Sequence, residues 1–160
     1  MGMTQQLPLD DRHSYSKEFL TNRIKIMLGG RTAEEIVFNQ FTTGASNDLQ
    51  SATSIATKMI CEWGMSEKLG PRAYTMEEQG FLGGGQERHL YSESTARAID
   101  DEINSLIEIC YQEAMIILEG RIDSLHNLSK ALMEHETLDA EEVDIIVQCK
   151  RSPENDVNVG

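Results

Sequence analysis

Few residues in this sequence have both the type and the spacing to do chemistry, and one carboxylate stands out. Asp48 closes the stretch TTGASND, residues 42–48, where a glycine-bearing loop runs into the helical pattern SNDLQSATSIATKM. An acidic side chain in a first helical turn interacts well with the exposed N–H groups and the helix dipole, and that alone would account for it. An aspartate fixed at the same point can also ligate a metal ion. Local chemistry leaves both readings open. The four histidines, His13, His89, His126 and His135, include no pair four residues apart, so none forms the two-nitrogen clamp of a helical zinc site. No serine sits in a GxSxG elbow. Cys61, Cys110 and Cys149 form no CxxC. The first two lie in apolar helical settings, where free cysteine serves packing in a reducing compartment. The stretch GFLGGGQERH, residues 80–89, lacks the Lys-Ser/Thr of a phosphate loop and reads as a mobile surface loop. These residues alone make no complete catalytic constellation.

The elements that must position Asp48 are helical. Phe19, Leu20, Ile24, Met27 and Leu28 recur on one face of a first helix, which Ser14 or Ser16 can cap. Gly29-Gly30 interrupts it. Either the pair ends that helix, with Thr32 and Glu35 as a capping box for the next, or the helix continues and the bare backbone admits a close neighbour. A helix over 46–61 follows, broken by Gly64, Gly70 and Pro71. The strongest periodicity, Ile99, Ile103, Leu106, Cys110, Ala114 and Ile117, predicts a long helix capped by Ser92 or Ser94 and closed by Gly120. Leu125, Leu128, Leu132 and Met133 mark another helix, and Asp139 with Glu142 opens a last short one. The expected fold is mainly α, a compact helical bundle over residues 1–150, with a polar tail over 151–160. MTQQLP, residues 3–8, allows one short N-terminal strand.

Composition bounds the partners. The chain has 160 residues and a formal net charge of -13. That is long enough for one buried core. It is too acidic for a nucleic-acid surface or for docking on anionic lipid, both of which need clustered Lys and Arg. No apolar run reaches the length of a bilayer span and no signal peptide is present, so the segment is expected to be soluble and without direct membrane contact.

Taken together, LGGRTAEEIVF, TTGASNDLQSAT, EWGMSEKLGP and FLG, followed by a Ser-capped acidic helix and LMEHETLDAEEV, resemble the C-terminal peptidase domain of the FtsH family. These are membrane-anchored, ATP-dependent zinc metalloproteases of the AAA+ class. The resemblance runs in order from about Met3 to Val147. It implies a zinc ion held by two histidines of an HExxH helix and by an aspartate that corresponds to Asp48. Thr42, Thr43 and Asn47 would then orient that carboxylate. The metal would lower the pKa of a bound water, and the HExxH glutamate would take its proton. It further implies protein or peptide substrates, a separate ATPase domain that uses ATP, a homo-hexamer, and a parent protein on the cytoplasmic face of a bacterial inner membrane or in an organelle of bacterial origin.

The departure from the family is that no HExxH occurs in these 160 residues. The chain as it stands is therefore expected neither to hydrolyse peptides nor to hold zinc tightly. Gly29 and Gly30 would be where the HExxH helix packs, and its absence would favour marginal stability, self-association, or another element covering the gap. The alternative is a non-catalytic helical module for oligomerisation or binding built on the same scaffold.

Overall fold

The computed structural model describes residues 14–40, 42–74 and 91–148. Among these residues five α-helices follow in order: α1 Lys17–Phe38, α2 Ser46–Cys61, α3 Glu93–Glu119, α4 Ile122–His135 and α5 Ala140–Gln148. A single 3-10 turn, Thr43–Ala45, leads into α2. No strand occurs among the described residues, and the candidate strand at 3–8 lies outside them, as do the glycine-rich stretch and the polar tail.

Helices α1, α2 and α3 pack on one another and enclose the core. Leu20, Ile24 and Leu28 of α1 meet Ala52, Ala56 and Met59 of α2 and Cys110 of α3. The two alanines in α2 let its backbone lie close to α1, and the larger α1 residues fill the space. The Lys25 ammonium on α1 pairs with the Glu113 carboxylate on α3 at 2.5 Å. A second, smaller cluster gathers Ile60, Tyr74 and Ile99.

The helix ends follow the local signals. The Ser16 hydroxyl accepts from the Phe19 N–H at the start of α1, and the Ser92 hydroxyl accepts from the Thr95 N–H at the start of α3. Asp139 and Glu142 form a reciprocal capping box: the Glu142 N–H donates to Asp139 Oδ1, and the Asp139 N–H donates to Glu142 Oε2.

Gly29 and Gly30 do not end a helix, because α1 runs through them as one 22-residue segment. Thr32 is not a cap. It is fully buried, and its hydroxyl donates back to the Leu28 carbonyl at 2.9 Å within the same helix. Burial of Leu28 and Thr32 on either side holds the glycine pair helical despite its weak intrinsic preference.

Between α2 and α3 the chain folds back on itself. Gly64 adopts φ +59, and a Cβ there would stand 3.1 Å from the Arg72 nitrogen, so only glycine fits without a shift. The Tyr74 N–H donates to the Cys61 carbonyl at 2.7 Å, and the Tyr74 ring meets Tyr91 edge-on at 5.7 Å. The Ser66 hydroxyl donates to Glu102 of α3 at 2.6 Å and accepts from the Leu69 N–H at 3.1 Å. This side-chain bridge ties residues 66–69 to the core helix.

Candidate functional site

Asp48 lies in the first turn of α2, three residues into the helix, and its side chain faces solvent. No hydrogen bond or ion pair engages its carboxylate among the described residues. Its position comes from the turn before it. The Thr42 hydroxyl accepts from the Gly44 N–H at 3.2 Å and caps the 3-10 turn, whose last residue feeds α2 directly.

That cap is anchored from α1. The Thr42 hydroxyl donates to the Glu34 carboxylate, lying 2.9 Å and 3.0 Å from its two oxygens. A hydroxyl that gives its proton to a carboxylate is a better acceptor for the Gly44 N–H, so the two bonds reinforce each other. The sequence of support is therefore Glu34 on α1, Thr42, the 3-10 turn, and Asp48 at the start of α2. The Thr42 hydroxyl is thus engaged with Glu34 and Gly44 rather than with Asp48. Thr43 and Asn47 are exposed neighbours of Asp48 in the chain, and the Thr43 carbonyl accepts from the Ser46 N–H where the turn becomes helix.

Glu34 and Glu35 were not legible as site residues from the sequence. Their signal was two consecutive carboxylates ahead of the apolar run IVF. Glu35 follows Leu28 and Thr32 at helical spacing, and its Oε2 is buried without a hydrogen-bond partner. A buried carboxylate oxygen in that state lacks a donor that folding ordinarily supplies.

The opposite side of α1 is open. Ile26 is 61% exposed and Val37 38%, and a Cβ added at Gly29 or Gly30 would meet nothing within 4 Å. Ile26, Gly29, Gly30, Ala33 and Val37 share this side by helical spacing.

The described histidines are not drawn to Asp48. His126 and His135 both lie on α4 and are exposed. His13 and His89 lie outside the described residues. No group of three His, Cys, Asp or Glu side chains among the described residues could hold a metal ion. These residues therefore do not by themselves fit a zinc site: they offer one accessible carboxylate and none of the nitrogen ligands. The thiols are no substitute. Burial, reinforced by Glu62 and Asp100, raises the Cys61 pKa above the ordinary value. Burial likewise raises that of Cys110, with Lys25 opposing and Glu113 adding to the rise.

Comparison with known proteins decides the family. The model for peptidase family M41 matches residues 1–146. This chain belongs to that family. It is 50% identical over 145 residues to the ATP-dependent zinc metalloprotease FtsH of Magnetococcus marinus, covering 89% of this chain and 22% of the relative. It is 46% identical over 157 residues to the ATP-dependent zinc metalloprotease FtsH 4 of Sorangium cellulosum, covering 96% of this chain and 24% of the relative. The FtsH of Acidobacterium capsulatum is 44% identical over 155 residues, with the same coverage on both sides. The chain thus spans under a quarter of the length of these curated relatives. The resemblance read from the sequence motifs and the mainly α fold both stand.

Proposed function

We propose that this M41 chain is the part of a zinc metallopeptidase domain that supplies the carboxylate ligand, Asp48, and the helical scaffold behind it. The observation that carries this reading is the placement of Asp48. It is exposed, without a protein partner among the described residues, and fixed at a helix start by a capped turn that α1 anchors through Glu34. A carboxylate held in one place yet left unpaired suits a metal ligand, because ordering it in advance reduces the entropic cost of binding.

The two nitrogen ligands and the general base must be supplied by residues other than those described. A histidine-bearing HExxH helix lying on the open side of α1 would cover Ile26 and Val37. Gly29 and Gly30 would let its backbone come within about 8 Å of the α1 axis. When bound, the zinc would supply a polarised water for attack on a peptide carbonyl. The role of this chain is to hold one corner of that site and to keep Asp48 oriented. On its own it is inactive toward peptides.

The reading extends to a parent protein that uses ATP in a separate ATPase domain to feed protein substrates into a homo-hexamer. That parent is anchored on the cytoplasmic face of a bacterial inner membrane or in an organelle membrane of bacterial origin. Among the described residues no helix is long and apolar enough to cross a membrane, so an anchor would come from other residues.

Isothermal titration with zinc tests the site. The 160-residue chain alone is expected to give no tight one-to-one complex. A chimera joining it to the upstream HExxH-bearing segment of the Magnetococcus marinus protease is expected to bind one zinc and to cleave a casein-type substrate. A tight complex with the chain alone, or a folded chimera that binds no zinc, contradicts the proposal.

A further inference from the structure

Helices α4 and α5 form a hairpin whose apolar side is only partly covered. Neither helix contributes a single buried residue, although Leu125, Leu128 and Leu132 recur along α4 at helical spacing. The hairpin is held together in part by a hydrogen bond from the Ser124 hydroxyl to the Val147 carbonyl at 3.2 Å, and it touches α3 only lightly. A groove of about 300 Å³ runs between the helices, floored by Ala131, Leu138 and Ile146 and edged by His135, Glu142 and Ile145. At its edge Ile145 is 68% exposed. Two helices this short cannot bury a core by themselves, so the groove is an apolar surface awaiting a neighbour.

The charge around the groove selects that neighbour. Residues 121–148 carry seven carboxylates against two cations, Arg121 and Lys130. Glu142 lines the groove, and Glu141, four residues before Ile145 on the same side of α5, is exposed next to it. A second copy of this chain would bring the same acidic hairpin, and like charge opposes self-pairing through this groove. We propose that the α4–α5 groove is a docking site for a cationic amphipathic helix of a partner protein, distinct from the region of Asp48. Its leucine-type side chains fill the groove between Ala131, Leu138 and Ile146, and its Lys or Arg residues face the acidic rim.

The test uses the 160-residue chain and a fluorescent synthetic helix with Leu at i, i+3, i+4 and i+7 and Lys elsewhere, followed by anisotropy. The control is the same helix with Glu in place of Lys. The Lys helix is expected to bind, the Glu helix about tenfold or more weaker, and binding is expected to weaken with salt. Ile145→Ser should weaken the Lys helix by about tenfold with an unchanged far-ultraviolet dichroism spectrum, Glu141→Lys should weaken it and flatten the salt dependence, and Ile26→Ser should leave it unchanged. No binding of the Lys helix overturns the proposal. So do equal affinities for the two helices, and an Ile145→Ser variant that binds like its parent, which would mean attraction to the acidic surface at large. A dimer of the chain that Ile145→Ser disperses also overturns it, because the occupant would then be a second copy.

Discussion

The two halves of the molecule solve the burial problem differently. In the α1–α2–α3 unit, three helices share one core, with Ile24, Ala52, Ala56 and Cys110 fully closed off from solvent. In the α4–α5 hairpin, equally two-faced helices bury nothing completely. Amphipathic patterning therefore does not show whether a face is covered within its own chain. It shows only that something should cover it. The same distinction applies inside α1, whose Leu20–Ile24–Leu28 side is closed while the Ile26–Gly30–Ala33 side is open.

Substitutions sharpen this contrast. Ile24→Ala in the closed unit should cost about 2–5 kcal/mol in urea unfolding, since a fully buried side chain is lost and the cavity cannot collapse between three packed helices. A cost below that range would mean the three-helix core is looser than described. Ser66→Ala should cost about 1–3 kcal/mol, because it strips the Leu69 N–H of its acceptor and Glu102 of a donor in a partly buried place. Thr42→Ala should cost about 1 kcal/mol through loss of the cap on the 3-10 turn. The same change should broaden the amide signals of residues 43–48 in a nuclear magnetic resonance spectrum, and unchanged signals there would remove Glu34 and Thr42 from the support of Asp48.

The thiols give a pH signature confined to the closed unit. Burial raises the Cys110 pKa in the folded state, so the folded chain retains that proton at pH values where the unfolded chain has released it. The stability this provides is complete below the unfolded thiol pKa and is lost as pH rises through the folded one. Stability should therefore fall on the alkaline side, and Cys110→Ala should remove that part of the decline. Alkylation of Cys110 by iodoacetamide, read by mass spectrometry, should also lag behind that of a free thiol at neutral pH. Smallest of all, Met133→Ser on the open hairpin should change stability by no more than about 0.5 kcal/mol. A loss comparable to that of Ile24→Ala would show the hairpin to be closed in solution.

The sequence was most legible where the signals are local. The span of α2, the Ser16 and Ser92 caps and the Asp139–Glu142 box all depend on residues within one helical turn, and they are found in place. Gly29-Gly30 could not be resolved because two local readings were equally good, and burial of Leu28 and Thr32 against other helices chose between them. Glu34 escaped notice because its partner Thr42 is eight residues away across the end of α1. The Ser66–Glu102 bridge spans 36 residues, and no spacing rule reaches that far. For the site, Asp48 was visible as a residue, but its lack of a partner became clear only once the surrounding turn was folded.

The decisive measurement is cleavage of a protein substrate, with bound zinc counted in parallel, by the chimera that restores an HExxH segment, comparing Asp48 with Asp48→Ala. The account predicts a folded variant that loses both its zinc and its detectable cleavage. A folded Asp48→Ala chimera that keeps one zinc per chain and cuts at the parent rate would contradict it.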